Sequence, residues 1–223
     1  MHVAVFGSTG FLGSEIVSAL KGANWAVSKI STSGTESINP RVSGWTSELK
    51  KNGRLDGIVW AQGANAKDTV LTSTPESLSG ILEANVIFVS RTLKELHESG
   101  LLNNPCRGVV LSSIWQEISR PDKFSYSVSK AALLGLVNSI SIDMAAKGFV
   151  LNSVLPGVVD SPMTRANLTE ASIRNLTEQT PGGQLVSGQE LANVVSFLLT
   201  PLSKGITGQS IVVDNGWSKA RYV

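Results

Sequence analysis

The stretch HVAVFGSTGFLGSEIV, residues 2–17, sets a short apolar run against a turn broken by glycines and then a helical pattern. The run ends at Phe6 and reads as a buried strand, while apolar residues beyond the turn recur at helical spacing. A strand that turns through glycines directly into a helix is the context of a phosphate-binding turn. Gly7 permits the tight turn, Gly10 lets backbone N–H groups approach a pyrophosphate, and Gly13 allows close helix packing. Ser8, Thr9, Phe11 and Leu12 complete the candidate site, and the helix N-terminus adds partial positive charge. A turn of small residues that holds no ligand is the alternative, and the glycines alone do not separate the two.

Further apolar runs follow: WAVSKI (25–30), DGIVWA (56–61), RGVVLSS (107–113), FVLNSVLP (149–156) and QSIVVDN (209–215). These read as buried strands. Residues 11–22, 74–100, 124–148 and 187–200 carry helical spacing between them. Ser73, three residues before Glu76, with Pro75 near the start, predicts a capped helix, and Gly22, Gly100 and Gly148 suit helix C-caps. Alternating strands and helices imply a parallel sheet covered on both faces, and right-handed crossovers make it doubly wound. The expectation is one α/β domain over residues 1–223, with ligands beyond the carboxyl ends of the strands.

With 42% hydrophobic and 16% charged residues, 223 residues suffice for one substantial core. A net charge of +2, scattered along the chain, argues against a nucleic-acid-binding stripe. No apolar stretch approaches membrane-spanning length. The chain opens on a strand rather than on a basic and apolar leader, so a cytoplasmic location is expected. Cys106, the single cysteine, precludes an intrachain disulfide and reads as buried packing. No cluster of metal-ligating spacing stands out, and no metal is expected.

The end of the second strand separates NAD from NADP, because an acid there holds the ribose 2′-hydroxyl. WAVSKISTSGTES (25–37) offers Lys29, Ser31, Thr32 and Ser33 and no acid before Glu36. Nothing repels a 2′-phosphate, and hydroxyls and a lysine can bind one. NADP(H) is the expected cofactor, NAD(H) the alternative, and an ordinary polar loop the reading without a ligand.

SYSVSKAALLG (125–135) puts Tyr126 and Lys130 four residues apart on one helical face. A nearby ammonium favours a phenolate, so the pair is expected to lower the tyrosine pKa and to serve as a proton donor to a carbonyl oxygen. Ser113, thirteen residues upstream and just after GVVL (108–111), stands where its hydroxyl can hold the same oxygen.

At these residues the sequence resembles the short-chain dehydrogenase/reductase family, with a Rossmann fold. The ordered blocks are the glycine turn, AQGA (61–64), ANVIF (84–88), LSSI (111–114), YSVSK (126–130), NSVLPGVVDSPM (152–163) and ITGQSIVVDNGW (206–217). The resemblance implies Tyr126 as proton donor, Lys130 as the residue that lowers its pKa and holds the nicotinamide ribose, and Ser113 as the group orienting the carbonyl. Asn85 resembles the fourth member, whose backbone carbonyl holds a water in the relay to Lys130; a polar residue filling a helix kink is the other reading. In Pro156-Gly157-Val158-Val159-Asp160-Ser161, the Val159 backbone would receive the nicotinamide carboxamide and Ser161 would stand near the pyrophosphate. Ala61 and Gly63 resemble the turn beneath the adenine ribose.

The sequence also departs from the family pattern. The spacing G-x-x-G-x-x-G is similar to that of extended members, yet the chain has no room for their added substrate domain. Between Ser31 and Asp56 it is short, so a third strand reduces to ESIN (36–39), and Asn39 stands where an aspartate is usual. Trp60 and Ala61 replace turn asparagines. The expected activity is hydride transfer between nicotinamide and a carbonyl or secondary alcohol of a small polar substrate. A nucleotide-binding regulator and a sugar-nucleotide epimerase or dehydratase are the alternatives. IWQEISRPDKF (114–124) would wall the substrate site, and residues of about 160–188 would form a flexible cover. Trp115 and Phe124 could stack on a ring, and Arg120 or Lys123 could meet an anion, although solvated charges are the plainer reading. The resemblance implies a homodimer or homotetramer through residues 75–99 and 125–147, with a tail at 218–223 that could reach a neighbouring subunit.

Overall fold

The computed structural model describes residues 1–220. Strands β1 (His2–Phe6), β2 (Ala26–Ile30), β3 (Leu55–Trp60), β4 (Leu102–Leu111), β5 (Phe149–Pro156) and β6 (Ser210–Val213) form one parallel sheet, ordered β2-β1-β3-β4-β5-β6. All six apolar runs read as strands are present. Strand order reverses at β1, so the crevice beyond its carboxyl end is where a doubly wound sheet binds ligands.

The two-residue period of the strands feeds two cores. Val3 and Val5 point to the face covered by α1 (Phe11–Gly22) and α8 (Gly188–Leu199), together with Val59, Val109 and Val154. Ala4 and Phe6 point to the other face, with Ile58, Trp60, Val110 and Leu151. That face is covered by α2 (Trp45–Lys50), α4 (Phe88–Glu98) and α5 (Phe124–Asp143). Trp60 is fully buried, stacks on Phe6 with centroids 5.9 Å apart, and donates its indole N–H to the Thr92 hydroxyl at 2.9 Å. It is therefore core packing inside β3, and the turn begins only at Ala61.

Several local expectations are corrected. Helix α3 (Pro75–Leu82) is capped by Thr74, in a reciprocal pair with Ser77, because Thr74 is the residue directly before Pro75; Ser73 instead bonds the Ser125 hydroxyl at 2.9 Å. Gly100 and Gly148 take positive φ as C-cap glycines do, but after α1 that conformation falls to Asn24, with φ 61°, rather than to Gly22. The candidate strand 36–39 shrinks to one bridge between Ile30 and Ile38. Beyond it α2 closes the sheet, with Trp45 buried edge-on against Phe6. The expected long helix over 75–99 is broken by a π-helical turn, Glu83–Ile87, between α3 and α4. The expected flexible cover contains α6 (Pro162–Asn167) and α7 (Glu170–Glu178), each started by a hydroxyl cap, Ser161 and Thr169. Among the described residues, no helix is long and apolar enough to cross a membrane, and no cluster of metal ligands occurs.

Candidate active site

The glycine turn is built around close backbone approach. Gly7 has φ +73°, and a Cβ there would meet the Gln62 backbone nitrogen at 2.6 Å; a Cβ on Gly13 would meet the Gly7 carbonyl oxygen at 2.1 Å. The N–H groups of Gly7 and Ser8 both donate to the Ile30 carbonyl, at 2.8 and 3.3 Å, which ties the turn to the end of β2. Gly10 is the N-cap of α1 and supplies no side-chain cap, and the first turn, from Phe11 through Leu12 and Gly13, carries no acid. By contrast α3 and α8 both begin with capping boxes. An uncapped helix start framed by glycines that cannot accept a Cβ fits a dinucleotide pyrophosphate. Ser112 Oγ and Gln62 Oε1, at the carboxyl ends of β4 and β3, are buried without a hydrogen-bond partner, which also fits a ligand in this crevice.

On the side expected for the adenine ribose, Thr9, Ser31 and Ser33 form a hydroxyl cluster: Thr9 lies 2.7 Å from Ser31 and 3.0 Å from Ser33. Thr32 is exposed and stands outside it. Lys29 is paired with Glu36 at 2.8 Å, so the lysine read as a free phosphate ligand is already engaged. The Asn39 side chain accepts from the Arg41 N–H at 3.0 Å, which makes it a turn-former.

The reaction-centre candidates converge beyond β4. Ser113 follows the strand in extended conformation and caps the short 3-10 turn Ile114–Gln116, accepting the Trp115 N–H at 3.3 Å. Its hydroxyl lies close enough to that of Tyr126, the third residue of α5, to favour the phenolate. Lys130, one turn further on, lies with Nζ 5.5 Å from the Tyr126 ring centroid and donates to the Leu111 carbonyl at 3.0 Å. Burial pushes the Lys130 ammonium down to about 8. Burial also raises the Tyr126 pKa, and the Ser113 hydrogen bond opposes this only partly. The expectation of a tyrosine lowered by Lys130 is thus corrected: the ammonium sits over the ring and is bonded to a strand carbonyl, so desolvation of the phenolate dominates.

Asn85 lies in the π-helical turn, where its amide accepts from the Ala64 N–H at 2.7 Å and donates to the Ala64 carbonyl and the Ser129 hydroxyl at 3.0 and 2.9 Å. A Cβ on Gly63 would lie 3.2 Å from the Asn85 side chain and 3.8 Å from Lys130 Nζ. Gly63, Asn85 and Lys130 are therefore neighbours, and the helix kink is real; π-turns of this kind recur at functional sites. Pro156 ends β5, and Gly157 donates to the Val213 carbonyl at 2.9 Å; a Cβ on Gly157 would meet the Asp214 Cβ at 2.6 Å. Val159 bridges to Val186 through its neighbours' groups, leaving its own N–H outside that pairing. Ser161 is first of all the cap of α6, accepting the Thr164 N–H at 3.1 Å.

Residues outside the expected set also shape the site. Asp68 accepts from the N–H of Ser125 at 3.0 Å and from its hydroxyl, fixing the start of α5, and Ser129 supports Asn85. Lys123 is buried, not solvated: Nζ donates to the Asn65 amide oxygen at 2.7 Å and stands 5.3 Å from the Tyr126 ring centroid. A lysine at the N-cap of α5, three residues before the tyrosine, was the available signal. A cleft of about 480 Å³ is lined by Asp160, Arg165, Ile173, Thr177 and Glu190 beneath the cover, and neither Ser113 nor Tyr126 lines it. Cys106 is buried and its thiol is pushed up to about 12, which suits packing and not nucleophilic chemistry. Of the tail at 218–223, residues 221–223 lie outside the described residues.

Residues 36–218 match the family described as Enoyl-(Acyl carrier protein) reductase. The chain is 26% identical over 204 residues to 3-oxoacyl-acyl-carrier-protein reductase FabG of Escherichia coli, covering 92% of this chain and 82% of that one. Its fold is similar to that of ligand-free aldohexose dehydrogenase from Thermoplasma acidophilum, with a TM-score of 0.89 at 21% identity over 100% and 95% of the two chains. It is also similar to a gluconate 5-dehydrogenase from Burkholderia cenocepacia solved with NADP and tartrate, with a TM-score of 0.84 at 18% identity over 99% and 96%. With the ordered motifs and the sheet that carries them, these matches show that the chain belongs to the short-chain dehydrogenase/reductase family of NAD(P)-dependent oxidoreductases.

Proposed function

We propose that this protein is an NADP(H)-preferring carbonyl reductase, acting reversibly on a small polar carbonyl or secondary alcohol. The observation that carries the reading is the convergence of Ser113, Tyr126 and Lys130 at the end of β4, with Lys130 bonded to the Leu111 carbonyl and the Ser113 hydroxyl near enough to Tyr126 to affect its titration. The nucleotide would supply or accept hydride at its nicotinamide ring. Gly7, Ser8, Thr9, Gly10, Phe11, Leu12 and Gly13 would hold its pyrophosphate with Ser161, and Ala61, Gly63, Pro156, Gly157 and Val159 would line its ribose and nicotinamide path. The hydroxyls of Thr9 and Ser31 support a preference for NADP(H), as does the absence of an acid beside them, while Thr32 is no longer part of that argument.

The chain's own chemistry is proton management. Tyr126, kept a neutral phenol by burial, is in the protonation state needed to donate to a carbonyl oxygen as it gains negative charge. Ser113, whose oxygen accepts the Trp115 N–H and whose proton is directed at the Tyr126 oxygen, would turn that proton to a substrate oxygen bound between the two. Lys130 then offsets the negative charge left on the phenolate. Asn85 keeps the π-turn and the Gly63 turn in register beside Lys130. Alcohol oxidation needs the phenolate instead, so it is favoured as pH rises. A homodimer or homotetramer through α5 is supported by Val128, Leu134 and Ile142, apolar side chains that α5 leaves exposed. A cytoplasmic location fits the free thiol of Cys106.

The test is a fluorescence titration of the protein with NADPH and, separately, NADH. Saturable binding with NADPH at least tenfold tighter supports the reading. Equal affinity removes the NADP preference, and binding of neither removes the oxidoreductase assignment.

A further inference from the structure

The segment between Ser113 and Tyr126 holds a cation, Arg120, that the hydride and proton chemistry does not use. Arg120 is exposed, and its guanidinium lies 5.7 Å from the centroid of the Trp115 ring. Trp115 in turn donates its N–H to Ser113. On the other side Arg120 acts electrostatically on Lys123, which is 5.3 Å from the Tyr126 ring. Arg120 is thus linked to the serine side through an indole and to the tyrosine side through an ammonium, at the mouth between them. Lys67 adds its charge to the same field.

The nearby carboxylates partly offset Lys123, on which Asp68 acts, but among the described residues none is paired with Arg120. Asp68 is committed to the N–H and hydroxyl of Ser125, and Glu117 is paired with Lys219 at 3.6 Å. Asp122, although adjacent in sequence, lies in no ion pair with Arg120 or Lys123. An arginine immobilised on an indole face presents its planar fork with little further loss of freedom. Trp217 meets the same indole edge-on, with ring centroids 6.1 Å apart, so Trp115 is held between an aromatic ring and the guanidinium.

We propose that the substrate is an anionic carbonyl compound, and that Arg120 is a specificity-determining residue that binds its carboxylate or phosphate oxygens while Lys67 and Lys123 steer it in. This rests on the reading of Ser113 and Tyr126 as the carbonyl site. A small oxo acid or a phosphorylated ketone fits the mouth; the neutral isostere leaves Arg120 without a partner. The pull of Arg120 on an anion weakens with salt.

The experiment needs binding only and uses the intact protein with NADP bound. Trp115 fluorescence reports the site, and Trp115→Phe identifies its share of the signal. The probes are two matched pairs, dihydroxyacetone phosphate against dihydroxyacetone, and pyruvate against hydroxyacetone. An anion in one pair is expected to bind about tenfold more tightly than its neutral partner, the size of one charge-assisted hydrogen bond. Which pair shows it distinguishes phosphate from carboxylate. Arg120→Gln is expected to reduce that preference to about twofold or less, and Arg120→Lys to restore only part of it. Equal affinity within both pairs overturns the proposal, as does an anion preference unchanged in Arg120→Gln. Neither outcome touches the oxidoreductase reading, which fails instead on nucleotide binding and on Tyr126.

Discussion

Replacing Lys130 by methionine is expected to stabilise the fold near neutral pH, in a way that disappears in alkali. Burial lowers the Lys130 pKa from 10.5 to about 8. Between those values the unfolded chain binds more protons than the native one, so stability rises with pH across that window. At about 1.4 kcal/mol per pKa unit, the buried ammonium costs about 3 kcal/mol at pH 7, of which about 2 kcal/mol is relieved by pH 9.5. The wild type should therefore gain about 2 kcal/mol relative to Lys130→Met between those two pH values. The lost hydrogen bond to the Leu111 carbonyl shifts the variant by a pH-independent amount and cancels in the comparison. Urea unfolding of both proteins at both pH values, at one protein concentration, gives the double difference directly. A value below about 0.5 kcal/mol would refute the claim that Lys130 is held as a costly buried cation.

Two further outcomes follow from local geometry. Gly13→Ala places a Cβ 2.1 Å from the Gly7 carbonyl oxygen, so the α1 start must shift; a loss of roughly 2 kcal/mol or more in thermal or urea unfolding and a weakened NADPH titration are expected. Glu36→Gln releases Lys29 from an exposed ion pair and is expected to tighten NADPH binding about two- to fivefold, the range of such pairs, with NADH binding unchanged; a parallel change for both nucleotides would show that Lys29 does not discriminate the 2′-phosphate.

The sheet was legible because buried parallel strands such as HVAVF and GVVL are nearly continuous apolar runs whose alternate members serve two faces. The glycine turn and the Tyr126 and Lys130 pair were legible for a related reason: each depends on short-range spacing along one element. What escaped depends on contacts between elements. Lys123 reads as a surface charge until Asn65 and the Tyr126 ring are placed beside it. Lys29 reads as a free ligand until the chain folds Glu36 back onto it. The tyrosine pKa followed the same rule, since helical spacing brings Lys130 near but only the packed site shows how fully the ring is desolvated. Helices α6 and α7 were hidden by their polar composition, and their capping hydroxyls, Ser161 and Thr169, were the available sign.

Tyr126 as the proton donor is the centre of the proposed chemistry. The decisive measurement is NADPH oxidation by Tyr126→Phe and by the wild type, across small neutral and anionic carbonyl compounds, with NADPH affinity measured in parallel. A wild type that turns over at least one carbonyl, and a variant that binds NADPH equally but is slower by about a hundredfold or more, is the predicted result. Comparable turnover in the variant would contradict it.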